Sequence, residues 1–298
     1  PSWNADCPTG TWIRVELQAR VAEPDTWSAW YELAVWGDPA LTGKLPRDTK
    51  AKEDRHARVN EDILELKSLS TRLRYRVTLH TERPEVTPVV TLLAMAVVNT
   101  TQELAPDDSK GPAWGVEVPA DFRSQLVENA DISWRTCGPT SVGMALTAHG
   151  IRVPTAVVAD ACWDSVNNIY GNWPFMAAAA SRLMREQSHE LNGKPGRKPT
   201  YAAFVTYPPD WKGVEQEILN GNPCILSIRF GKDELTAAPT RSSNGHLILV
   251  RGFTKDGNVI CNDPAAWTDA KGRIVYDRQE LHKARHGGPI IAIRPYGD

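Results

Sequence analysis

No uninterrupted apolar run in this chain of 298 residues approaches the roughly 18 needed to span a bilayer, which excludes a transmembrane helix by sequence. The longest apolar stretch, around VVTLLAMAVV, is strand-like and too short. An excess of one charge is missing as well. Lys and Arg number 34 against 36 Asp and Glu, and a formal net charge of −2 gives no reason to expect nucleic acid or an anionic membrane as partner. Cysteines are few, at Cys7, Cys137, Cys162, Cys224 and Cys261, and no two form a C-x-x-C pair, so no zinc framework is expected. Their odd number leaves at least one thiol unpaired within a single chain. There is no H-E-x-x-H and no G-x-x-x-x-G-K-[ST], and the seven His are scattered, so neither a metal nor a cofactor is expected. The opening PSWNADC has no Met and no signal-peptide pattern; it reads as the start of a trimmed or mature chain, which leaves secretion open.

What is present is an ordinary globular composition, 41% hydrophobic and 23% charged, long enough for two domains. Tryptophan is plentiful at eleven, six of them before residue 115. Residues 1–105 read as β. In WIRVELQAR, Ile13, Val15, Leu17 and Ala19 alternate with Arg14, Glu16, Gln18 and Arg20; RLRYRVTLH repeats the pattern, and a period of two predicts strands with one wet face. WYELAVWG and VVTLLAMAVVN are two more strand candidates, and the set predicts an antiparallel β-sandwich. TQELAPDDSKGPAWG then loses all periodicity, placing a linker at 106–115.

From residue 116 to 298 the pattern turns α+β. PTSVGMALTAHG, PTAVVADACW, NWPFMAAAASRLMRE and PDWKGVEQEILNGN read as helices, the last with Asp210 as N-cap and Gly221 as stop. PCILSIRF, HLILVRGF and NVICNDP read as strands. DRQELHKARHGG fits a capping box of Asp277 with Glu280 and a Gly stop, and LNGKPGRKPTY is a basic loop.

Cys137 stands just before Gly138 and Pro139, at the expected start of a helix. Free backbone N–H groups and the positive end of the helix dipole stabilise a thiolate there, which makes the sulfur nucleophilic. Cys162 lies inside a helical pattern and Cys224 and Cys261 in apolar strands, so these read as packing residues. A thiolate needs a base. His246 opens a strand after SSNG, the setting in which a loop delivers a side chain from a rigid element, while His149 reads as a dipole partner at the end of the Cys137 helix. Asp263, in ICNDPA, is the candidate to orient His246, against a reading of NDP as a solvated turn. The two would face each other if the hairpin turn centred near Thr254–Lys255. A tight Asp256–Gly257 turn would set Asp263 opposite Val250, roughly 13 Å from His246, so the pairing requires a longer turn or a bulge. Gln125, twelve residues before Cys137, is the candidate oxyanion donor with the Cys137 N–H. Trp134, Trp173 and Trp267 lie close in sequence to these residues and either line a cleft or simply pack.

Gln125, TCGPTSVGMAL, GHLILVRGF and NDPA together resemble the bacterial cysteine peptidases related to the double-glycine leader peptidases of bacteriocin exporters, with a papain-like fold. GNWPF and the ending VYDRQELHKARHGGPIIAIRP resemble free-standing, often secreted members. The resemblance covers residues 116–298 and implies Cys137 as nucleophile, His246 as base, Asp263 as orienting acid and Gln125 as oxyanion donor. Asn172 and Trp173 of GNWPF, with Trp134 and Trp267, are expected at the substrate. The N-terminal region resembles the β-sandwich that precedes the peptidase domain in secreted actinobacterial members, which implies an extracellular setting. Membrane spans and an ATPase, present in exporter-linked relatives, have no counterpart in this sequence, so double-glycine specificity is not carried over. The expected partner is a peptide or protein substrate. An acyltransferase, amidase or deamidase would use the same thiol. A third reading is a surface protein whose Trp27, Trp30 and Trp36 hold glycan or cell wall, against a reading in which those rings fill the core.

Overall fold

The computed structural model describes all residues except 23–24, 42–43, 46–52, 102–109, 129–130, 192–199, 287 and 297–298, so the first four residues of the expected linker, 106–109, lie outside the described residues. The chain forms two compact units: residues 1, 5–93 and 164–168 in one, and residues 2–4, 94–163 and 169–298 in the other.

The first third of the chain carries β1 (Ser2–Asp6), β2 (Thr11–Val21), β3 (Thr26–Trp27), β4 (Tyr31–Gly37), β5 (Ala57–Asn60), β6 (Ile63–Leu66), β7 (Ser70–Thr81) and β8 (Val89–Ala94). β2 is the axis of the main sheet of the first unit: β3 and β4 pair along it and β7 pairs with it over its whole length. The register sets Ile13 against Leu79, Val15 against Val77 and Leu17 against Tyr75. The expected polarity of these strands is only half right. The polar face of β2 is not wet: Glu16 and Gln18 are buried, because Arg76 pairs with Glu16 and Arg74 donates to Gln18 Oε1 at 2.6 Å. On β7 the apolar side chains of Tyr75 and Leu79 are exposed instead. Trp36 is a core residue, whereas Trp27 and Trp30 are half-buried.

The second unit is α+β. In chain order it holds α1 (Gln125–Glu128), α2 (Cys137–Thr147), α3 (Thr155–Cys162), α4 (Trp173–Leu191), β9 (Thr200–Thr206), α5 (Trp211–Leu219), β10 (Cys224–Phe230), β11 (Ser243–Phe253), β12 (Val259–Asn262), α6 (Asp269–Gly272), β13 (Arg273–Tyr276), α7 (Arg278–Arg285) and β14 (Ile290–Tyr296). Six strands form one sheet in the order β13-β12-β11-β10-β14-β9, and every pair in it is antiparallel. Alternate residues of the strands serve two cores. Leu247 and Leu249 of β11 pack with α2, α3 and α4; Ile248 and Val250 pack with α5, α7 and residues 113–118. Strands β9, β13 and β14 escape the periodicity that marks the others, and β9 begins inside what reads as a basic loop. The outer edge of β9 is covered by side chains of the chain start. The Asn4 amide takes both poles of Ala203, donating at 2.7 Å and accepting at 3.1 Å, and Ser2 Oγ accepts from Val205 N at 3.0 Å. Such cover removes free edge groups that would otherwise template further pairing.

Helix ends follow the expected chemistry with two changes. Asp210 Oδ1 accepts from Lys212 N, and Asp277 Oδ1 accepts from Gln279 N and Glu280 N. The Glu280 carboxylate accepts from Thr236 N and Thr236 Oγ1, and the residue that ends α7 in the left-handed region is His286 rather than a glycine.

One hairpin decides where the site forms. Thr254 N donates to Asn258 O at 2.8 Å, so the turn centres on Asp256, neither of the two positions considered from sequence. Phe253 then pairs with Val259 and Gly252 with Ile260, but Val250 pairs with Cys261: Arg251 is the extra residue of a β-bulge. Its carbonyl accepts from Val118 N at 2.7 Å instead. Its guanidinium donates to the Val118 and Ala120 carbonyls at 3.0 and 3.1 Å. A Cβ at Gly252 would stand 2.5 Å from Val116 O and 2.7 Å from Glu117 Cα, so only glycine admits the 116–118 segment. Gly252→Ala is therefore expected to destabilise the protein by about 1–3 kcal/mol and to slow alkylation of Cys137, read from the denaturant midpoint and the iodoacetamide rate; wild-type values for both would show that this close approach is dispensable.

Candidate active site

Helix α2 begins at Cys137, behind Thr136 as N-cap, so the thiol sits where the first orphan N–H groups of the helix point. The helix is buried from Gly138 to Thr147, and Gly138 is tight: a Cβ there would meet Met176 Sδ at 2.9 Å and Leu247 Cδ1 at 3.0 Å. Ser141, one turn on, donates through Oγ to the Leu247 carbonyl at 3.0 Å. The N–H of the same Leu247 hydrogen-bonds the Cys137 sulfur, so α2 engages both poles of the residue that follows His246.

His246 is buried and hydrogen-bonds the Cys137 sulfur. Its Nε2 lies 2.8 Å from Asp263 Oδ1, which leaves Nδ1 as the nitrogen toward the thiol. The bulge explains the pairing. Asn262 pairs with Leu249, so continuing the register sets Asp263 opposite Ile248, two residues from His246. That is roughly 6.6 Å along the strand and on the same face, within reach of an imidazole. Asp263 is itself buried; Oδ1 also accepts from Ala265 N at 2.9 Å, and Oδ2 accepts from the Tyr276 hydroxyl at 2.7 Å.

The electrostatics favour an ion pair. Burial pushes the Cys137 thiol up, but the hydrogen bond and charge of His246, with the N–H groups of Leu247 and Gly138, outweigh it and hold the thiol below its ordinary range. Burial pushes the His246 imidazolium down; the charge and hydrogen bond of Asp263, then those of Cys137, outweigh it and raise His246 well above its ordinary 6.5. Burial likewise raises the Asp263 carboxyl, and the His246 charge with the hydrogen bonds from His246, Tyr276 and Ala265 brings it below the usual carboxylate value. The buried thiols away from this group behave oppositely. Burial lifts Cys162 to about 12 and raises Cys224 and Cys261 well above the ordinary value, as suits packing residues.

Gln125 is buried at the start of α1, and its N–H donates to Pro264 O at 2.9 Å, just past Asp263. Its Nε2 donates to Ser133 O at 2.8 Å, on the approach to Cys137. An amide nitrogen carries two hydrogens, so one remains for a second acceptor. The four residues expected at the substrate divide. Trp134 and Trp267 are 74% and 66% exposed. Trp173 is half-buried, edge-on to Tyr207 at 6.5 Å. Asn172 is buried, and its Oδ1 accepts from Phe175 N at the start of α4. His149 is not the dipole partner expected of it: it lies edge-on to Tyr201 at 5.7 Å, and burial lowers it toward the neutral form. Sequence reasoning missed Tyr276, Ser141 and the Leu247 N–H. All three fall in stretches that carry the resemblance, TCGPTSVGMAL, GHLILVRGF and VYDRQELHKARHGGPIIAIRP, but nothing in the sequence indicates that β13 brings a phenol to Asp263.

Among the described residues, no group of three or more His, Cys, Asp or Glu is arranged to hold a metal ion, and no helix is long and apolar enough to cross a membrane.

A thiol at a buried helix start, met by a histidine from an antiparallel sheet, is the arrangement of a cysteine-type peptidase. The chain belongs to the Peptidase C39-like family, which matches residues 118–286; residues 1–97 match the Peptidase C39 N-terminal domain. No curated protein matches it. Among solved structures, a Bacillus anthracis protein described as a C39-like peptidase is similar at 17% identity over 61% of this chain and 98% of its own, with a TM-score of 0.40. A double glycine motif protease from an AMS/PCAT transporter, solved with its leader peptide, is similar at 18% identity over 61% of this chain and 95% of its own, with a TM-score of 0.35.

The lowered thiol makes a pH prediction with a definite sign. The Cys137 thiolate forms as pH rises through a value below the ordinary thiol range, so the half-point of iodoacetamide alkylation should lie below about pH 8.5. In His246→Ala, burial is no longer opposed by an imidazolium, and the half-point should move up past that value; identical profiles for the two proteins would break the link between His246 and the thiol.

Proposed function

We propose that this protein hydrolyses peptide bonds with Cys137 as nucleophile, His246 as general acid and base, Asp263 as the group that orients His246, and Gln125 as oxyanion donor. The observation that carries the reading is the 2.8 Å contact of His246 Nε2 with Asp263 Oδ1, which leaves the other ring nitrogen for the thiol at the start of α2. The thiolate attacks the scissile carbonyl, and the carbonyl oxygen gains negative charge. The free hydrogen of Gln125 Nε2 and the Cys137 N–H stabilise that oxygen. His246, already protonated in the ion pair, gives its proton to the leaving amine, and a thioester remains on Cys137. His246 then takes a proton from water as the water attacks the thioester, which frees the acid and restores the thiolate. Asp263 keeps the Nε2 proton in place throughout, so Nδ1 is the nitrogen that exchanges protons with substrate.

Transfer to an amine instead of water would use the same thioester, and no feature of this site favours it. The N-terminal unit is not read as a glycan binder. Arg74 lies over Trp27 at 4.1 Å and Arg76 over Trp30 at 4.5 Å, so guanidinium groups occupy ring faces on which a sugar would stack. Peptide substrates fit a protein acting outside the cell, as the resemblance implies; recovery of the mature chain from culture medium or from cytosol decides that point.

The test is digestion of a peptide library by wild type, Cys137→Ser and Gln125→Ala, read by mass spectrometry. Wild type is expected to cleave, Cys137→Ser to be inactive, and Gln125→Ala to lose about 10²–10³ in kcat. Cleavage that survives in Cys137→Ser would refute the assignment, and acylated amines without cleavage would redirect it to transfer.

A further inference from the structure

Each oxygen of Asp263 has a separate occupation. Oδ1 faces His246 Nε2 and accepts from Ala265 N, while Oδ2 accepts from the hydroxyl of Tyr276 at 2.7 Å. Tyr276 is the last residue of β13; it is fully buried in the core against α5 and α7, and no role is assigned to it from sequence. We infer that Tyr276 is a positioning residue for the thiol chemistry: its phenol proton holds Oδ2 so that Asp263 stays ionised and aimed at His246 while Cys137 reacts. This rests on the site assignment proposed above and extends the chain Cys137, His246, Asp263 by one member.

The physical case starts from burial. A carboxylate out of water reverts to the neutral acid unless its oxygens are met by donors or positive charge. Asp263 is faced by His246 from β11, by Tyr276 from β13 and by Cys261 from its own strand, and His246 is faced in turn by Cys137 from α2. Cys261 stays a neutral thiol, since burial and the Asp263 charge both raise it. Burial and then Asp263 raise Tyr276 as well, so its hydroxyl remains a donor throughout the range in which the enzyme works. Without the phenol, the carboxyl value climbs. Once Asp263 is neutral, His246 loses the charge that raises it, and Cys137 in turn loses imidazolium. The pH window in which thiolate and imidazolium coexist therefore narrows from its acid end. A tyrosine that merely filled space would affect stability and leave the window alone.

The experiment is Tyr276→Phe in the full chain, with Cys137 alkylation and peptide hydrolysis each measured across pH. A hydrogen bond to a charged group is worth enough to move the acid limb upward by about one pH unit and to lower kcat about ten-fold, with KM changed less than about two-fold. In an Asp263→Asn background the same change should add less than about two-fold, because a carboxamide has no ionisation to protect. Profiles of Tyr276→Phe that superimpose on wild type overturn the inference, whatever happens to the melting temperature. If the Phe variant does not fold, a fluorinated tyrosine placed at 276, a stronger donor of nearly the same shape, should shift the acid limb downward; an unmoved limb overturns the inference equally. Hydrolysis that survives Cys137→Ser is a failure of the site assignment itself, whereas Cys137-dependent hydrolysis with unmoved profiles is a failure of the role given to Tyr276 alone.

Discussion

The two-residue offset between His246 and Asp263 across the β11–β12 hairpin is the constraint to which the rest of the site is fitted. It exists because Arg251 is bulged out of the ladder and its carbonyl is taken by Val118. The residues that hold the bulge run on into the segment that ends at Gln125. Val116 and Glu117 press against Gly252; Val118 and Ala120 accept from Arg251; Asn262 donates to the Ala120 carbonyl; Gln125 donates to Pro264. One strap of about ten residues thus sets the strand register that presents Asp263 and places Gln125 beside it. A change in the strap is felt at two corners of the site together.

The site also resolves an electrostatic conflict. Burial by itself would neutralise Cys137, His246 and Asp263, since it raises the thiol and the carboxyl and lowers the imidazolium. Each is kept in its charged form by the next, and the ends of the chain are closed by neutral donors: the Leu247 and Gly138 N–H groups on the sulfur, Ala265 N–H and the Tyr276 phenol on the carboxylate. Fixed donors in a dry setting need no reorganisation when charge moves during the reaction. The same arrangement makes the group cooperative: removal of one charge leaves a neighbour buried and uncompensated, which is costly.

Legibility from sequence follows the range of the interactions. The position of Cys137 at a helix start was readable because it depends on Gly138, Pro139 and the apolar positions that follow, all within about three turns. The strands of the central sheet were readable where they alternate or run apolar, as in β10 and β11. The polarity of β2 and β7 was misjudged because alternation reports which side chains share a face and is silent on what covers that face: Arg74 and Arg76 bury the polar side of β2, and the apolar side of β7 at Tyr75 and Leu79 is left exposed. Strands β9 and β14 were missed because an alanine-rich segment and one carrying Pro295 owe their extended form to pairing with each other.

Sequence alone determined the chemistry on offer: a thiol with helix dipole and free amides before it, one histidine opening a strand, an acid closing the neighbouring strand and a glutamine in the right order along the chain. These follow from local patterns, and local patterns are what a sequence states directly. Tertiary structure decided whether the parts meet. A hairpin with a tight turn would have carried Asp263 roughly 13 Å from His246; the bulge at Arg251, imposed by backbone more than 130 residues earlier in the chain, brings it to 2.8 Å. The phenol that completes the carboxylate comes from another strand again. Register, close approach and burial are properties of the packed whole, and they turned a plausible set of residues into a site.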